Sequence, residues 1–85
     1  MEEKLHRIVV LAHRINKSRI ANIFVDYSGH VDCLRIHADP IGVVYAPGVN
    51  VERLMSHTIW DTCENERQLD RAIRDMEALL EVAHV

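Results

Sequence analysis

Asp26, His30, Asp32, Cys33 and His37 crowd one short stretch of the chain, and these are the residue types that ligate metal ions or carry protons. His57 and Cys63 are possible additions. A zinc centre needs three or four such side chains converging at about 2.0–2.3 Å on one point. None of the established ligand spacings is present. Successive strand residues face opposite sides, so a strand through this stretch sends Asp32 one way and Cys33 and His37 the other. Asp26 and His30, beside a turn, suit bonds to the local backbone. Metal binding or metal-dependent catalysis is therefore the third functional reading, and no cofactor is expected. Cys33 and Cys63 lack a paired His in a nucleophilic arrangement, and there is neither a phosphate-binding glycine loop nor a nucleophile elbow. The expectation is a protein that is not an enzyme.

The element that must position these residues is Arg19 to His37, RIANIFVDYSGHVDCLRIH, which is rich in Ile, Val, Phe and Tyr on both sides of Ser28 and Gly29. That pattern predicts a β-hairpin. With Ser28 and Gly29 as the turn, Val25 lies opposite Asp32; with Gly29 and His30, it lies opposite Leu34. Either register gathers Ala21, Ile23, Val25 and Tyr27 with Leu34 and Ile36 as a core floor. The other face takes Ile20, Asn22, Phe24 and Asp26 with Val31, Cys33, Arg35 and His37. A lone hairpin is marginal in water, so other elements must cover the floor.

Residues 2–17 carry Leu5, Ile8, Val9, Ala12 and Ile15 at helical spacing, with Glu2 and Glu3 at the start and Arg14 and Lys17 at the end. Those charges complement the helix dipole. Val10 and Leu11 widen the apolar stripe. Residues 37–50 contain both prolines and two of the three glycines, with turn signals at Asp39-Pro40 and Pro47-Gly48 and a possible short strand over Val43–Ala46. Residues 51–60 fit either a helical turn or a strand; the β-branched and aromatic ending His57–Trp60 favours a third strand. Asp61 and Glu64 have the spacing of a capping box. Behind them Leu69, Ala72, Ile73, Met76, Leu80 and Ala83 mark a long C-terminal helix.

The expected fold is a single α+β domain over residues 1–85: a small antiparallel sheet, hairpin plus third strand, with the N-terminal and C-terminal helices on one face. At 85 residues and 48% apolar, such a chain sustains one thin core. The net charge of −3 is small, and basic residues gather in the N-terminal helix while acids gather in the C-terminal one. Opposite charge favours the two ends lying side by side or docking end to end in a dimer. No signal peptide or membrane span is read, and with only two cysteines a reducing cytoplasmic setting is expected.

The segment VDYSGHVDCLRI, followed by a proline-bearing loop and a C-terminal helix, resembles small uncharacterised proteins carried by bacteriophages and prophages. The likeness covers the hairpin, and the remainder only in layout. It implies an origin and assigns neither an activity nor site residues.

With one sheet face bare and carrying Phe24, Val31 and Ile20, self-association is expected. The leading reading is a non-catalytic protein–protein interaction module that forms a homo-oligomer and binds a further, unnamed protein. Its candidate contact residues are Phe24, Val31 and Arg35 on the sheet, with Tyr45 and Val49 in the proline loop. A nucleic-acid-binding accessory protein is the alternative. It ranks second because Phe24 is the one ring assigned to the open face, whereas single strands stack on several.

Overall fold

A computed structural model describes residues 2–43, 46–48 and 52–82. Helix α1 (Glu2–Lys17) leads into strand β1 (Asn22–Ser28), a 3-10 turn (Gly29–Val31), strand β2 (Cys33–Asp39) and strand β3 (Met55–Trp60). A second 3-10 turn (Thr62–Glu64) precedes helix α2 (Glu66–Val82). The strands form one antiparallel sheet in the order β1-β2-β3, so β2 is central. Both helices pack on one face, α1 over β1 and α2 over β3. The Cα envelope of 35 × 34 × 17 Å is one helix layer on one sheet layer. This is the α+β arrangement expected from the sequence.

Local chemistry explains the boundaries. Arg19 adopts a left-handed φ of 56°. Its N–H donates to the Asn16 carbonyl at 3.2 Å, while the Ile20 N–H donates to the Ile15 carbonyl at 3.4 Å. That is the Schellman closure of a helix, built here on arginine where glycine is usual. Asn16 then holds the incoming strand. Its side-chain oxygen accepts from the Ile23 N–H at 2.9 Å, and its amide nitrogen donates to the Ile23 carbonyl at 3.2 Å.

The core joins Ile8, Leu11, Ala12 and Ile15 of α1 to Leu69, Ala72 and Met76 of α2 across Ile23, Leu34, Ile36, Ala38, Met55 and Ile59 of the sheet. The stripe of α1 is rotated from the one expected, for Leu11 is buried and Val9 is 59% exposed. The opposite charges of the two ends meet side by side. Lys4 lies 2.9 Å from Asp70 and 3.6 Å from Glu66, and Arg7 lies 3.4 Å from Glu77. These partly exposed pairs contribute orientation more than stability.

Four details differ from expectation. The hairpin register puts Val25 opposite Ile36 and Ile23 opposite Ala38, because the connection consumes Gly29 to Asp32. The shift is an even number of residues from either expected pairing, so the faces are unchanged. Val31 sits in the 3-10 turn and not on the sheet. The capping box does not form: Asp61 makes no side-chain cap and is itself left-handed at φ 48°, and α2 starts after Asn65. Val43 and Ala46 are not strand residues, and Val44 and Tyr45 between them, like Val49, lie outside the described residues.

Ile59 is fully buried in the core, so Ile59→Ala should cost about 3 kcal/mol in urea unfolding followed by circular dichroism. Val9→Ala should stay within about 0.5 kcal/mol of wild type, since its side chain is already mostly in water.

Candidate functional site

Two places gather the polar residues singled out in the sequence. The first is Asp32, just before β2, with a left-handed φ of 45°. Its carboxylate accepts the Tyr27 hydroxyl at 2.9 Å, the Thr62 hydroxyl at 3.0 Å and the Thr62 N–H at 3.0 Å. Its backbone carbonyl accepts the Asp61 N–H at 2.9 Å. The hydrogen bond from Tyr27, then those from Thr62, hold the Asp32 carboxyl below the usual carboxylate range. The same bond raises the Tyr27 phenol above its ordinary value. Asp32 is thus occupied as a brace, and Tyr27, expected in the core floor, is drawn out to it and is 57% exposed.

The second place is the sheet face opposite the helices. Register places Phe24, His37 and Ser56 in one row across it, Asp26, Arg35 and Thr58 in the next, and Ser28, Cys33 and Trp60 in the third. The Phe24 and His37 rings stack with centroids 4.7 Å apart and planes 23° apart. Phe24 and Trp60 stand 40% and 49% exposed, while Cys33 between Ser28 and Trp60 is buried. At the end of β2 the buried Asp39 carboxylate lies 3.4 Å from Arg53 Nε and 3.9 Å from His37 Nε2. Arg35, His37, Arg53, Ser56 and Thr58 line a shallow polar groove there together with Asp26.

The remaining candidates disperse. His30 is exposed in the hairpin turn, and Cys63 is exposed after β3. His57 faces the helix layer, with Nε2 2.7 Å from Asp75 Oδ2, and so fastens β3 to α2. An imidazole–carboxylate pair can serve as a general base. The neighbouring hydroxyl, Ser56, however, projects from the opposite side of the strand. Among the described residues no group of three or more His, Cys, Asp or Glu side chains is placed to hold a metal ion. No described helix is long and apolar enough to cross a membrane.

Sequence reasoning gave Trp60 no place among the candidate contact residues, yet it stands half-exposed on the open face. The alternation Leu54, Ser56, Thr58, Trp60 already put it on the polar side of its strand. Arg53, Asp75 and Asn16 had no such signal, because their partners are remote in the chain or on another element.

Compared with known proteins, the chain matches no family model, no curated protein and no solved structure.

A carboxylate with a depressed folded pKa stabilises the fold above its unfolded pKa and loses that contribution as pH falls through the folded value. Thermal melts should therefore drop as pH descends below the ordinary carboxylate range, and Asp32→Asn should melt lower than wild type at pH 7 with a shallower acid limb. An unchanged acid limb in Asp32→Asn would remove Asp32 as the brace.

Proposed function

We propose that this chain is a non-catalytic protein–protein interaction module that self-associates through its open sheet face. One observation carries the reading: the face left bare by the helices presents the Phe24–His37 stack and a half-exposed Trp60 around the central Arg35. Aromatic and arginine side chains of this kind are the anchors of protein interfaces. Pairing of two copies along their sheet edges is hindered at Ile23, whose outward backbone groups Asn16 occupies, and at Trp60, whose outward carbonyl accepts from the Asn65 amide.

The further protein partner belongs to the same proposal, as does a phage or prophage origin suggested by the hairpin segment. Two free thiols, Cys33 and Cys63, fit a reducing cytoplasmic compartment.

Nucleic-acid binding is the second reading, because Trp60 joins Phe24 and His37 as rings on one face. Against it, Lys4 and Arg7 are already engaged by α2 acids, and Asp26 and Asp39 lie on the same face as Arg35 and Arg53.

Sedimentation equilibrium should show wild type as an oligomer and the Phe24→Ser/Trp60→Ser double variant as a monomer with an unchanged circular dichroism spectrum. A monomeric wild type sinks the proposal. Titration with mixed-sequence single-stranded RNA at low salt should leave Trp60 fluorescence unchanged; quenching that fades as salt rises would favour the second reading.

A further inference from the structure

The β1 edge is guarded at one end only. Both backbone groups of Ile23 are bonded by Asn16, so they point away from β2. In an antiparallel ladder outward groups recur at every second residue, which makes Val25 and Tyr27 the other outward positions of β1. No hydrogen bond to these outward groups is made among the described residues. Immediately beside them, between α1 and β1, lies an apolar groove of about 330 Å³ lined by Leu5, Ile8, Val9, Val25, Tyr27 and Leu34. Unpaired strand backbone next to an apolar groove is the arrangement that receives an added strand.

We infer that the outer edge of β1 at Val25 and Tyr27 binds a short extended segment of another protein, with apolar side chains opposite Val25 and Tyr27 and a basic one opposite Asp26. Residues directly opposite in a ladder share a face. The side chains opposite Val25 and Tyr27 therefore enter the groove beside Val9, and the one between them emerges on the open face next to the Asp26 carboxylate, the sole charge on β1. A second copy of the chain fits poorly. Matching β1 (Asn22–Ser28) to itself about its midpoint pairs Tyr27 with the Ile23 position, whose backbone is already taken by Asn16. The groove is also far smaller than the roughly 20–30 residues a side of a stable interface between folded proteins, and suits a peptide.

This site is separate from the open-face interface proposed above, and the experiment keeps the two apart. Capped Ser-Val-Lys-Val-Ser is titrated into the 15N-labelled protein, with Ser-Ser-Lys-Ser-Ser as control. The expected result is saturable movement of the Val25, Tyr27 and Val9 amides with the first peptide alone. Val9→Lys, at an exposed position that the fold does not need, should weaken binding about tenfold or more, whereas Phe24→Ser/Trp60→Ser should leave it unchanged even where that variant no longer self-associates. Shifts confined to the open face, equal response to the control peptide, or no shifts at millimolar peptide would overturn the inference. So would Val25 and Tyr27 shifts that follow protein concentration without peptide, which would make a second copy the occupant.

Discussion

The carboxylate of Asp32 ties the end of β1 to the turn that precedes α2. Tyr27 comes to it from the end of β1, and Thr62 comes from the turn before α2. A two-residue turn would have closed β1 on β2 more tightly. The longer connection ends in a left-handed residue, and the three hydrogen bonds its carboxylate accepts from Tyr27 and Thr62 offset the cost of that conformation. The same brace displaces the start of α2, since Thr62 turns toward Asp32 in a 3-10 turn before the helix begins at Glu66.

Once the brace and Asn16 have set the sheet against its helices, the distribution of surface follows. The helix side is closed by Ile8, Leu11, Ile15, Leu69 and Met76. The far side has no layer over it among the described residues, and its rows of Phe24, Arg35 and Trp60 are diagonal across three strands. Two asparagines blunt the edges without sealing them, which separates a broad aromatic face from a narrow strip of open backbone at Val25 and Tyr27. Different ligands suit these surfaces, because rings and guanidinium groups reward a broad partner and unpaired amides reward an extended one.

Much of this was legible in the residues alone. The period of Ile8, Ala12 and Ile15 gave one helix, that of Leu69, Ala72 and Met76 the other, and the alternation through Ile23, Val25, Leu34 and Ile36 marked the buried side of the hairpin. Parity survived an error in register because a strand repeats every second residue, so a shift by an even number leaves each side chain on its own face. The metal-like cluster was legible only as composition. Its members are near in sequence, yet a strand sends neighbours to opposite sides, and two of them are engaged apart from the rest: Asp32 bonds Thr62, while His37 stacks on Phe24.

What the sequence determined by itself is whatever depends on short-range periodicity: the two helices, the hairpin between them and the face each residue of β1 and β2 takes. Tertiary structure alone decided the pairings between residues distant in the chain, among them Asp32 with Thr62, His57 with Asp75, Lys4 with Asp70 and the buried Asp39 beside Arg53. The physical reason is range. Periodicity is a local property that hydrophobic burial reads directly, whereas a hydrogen bond or ion pair exists only after the fold has brought its two ends within about 3 Å of each other.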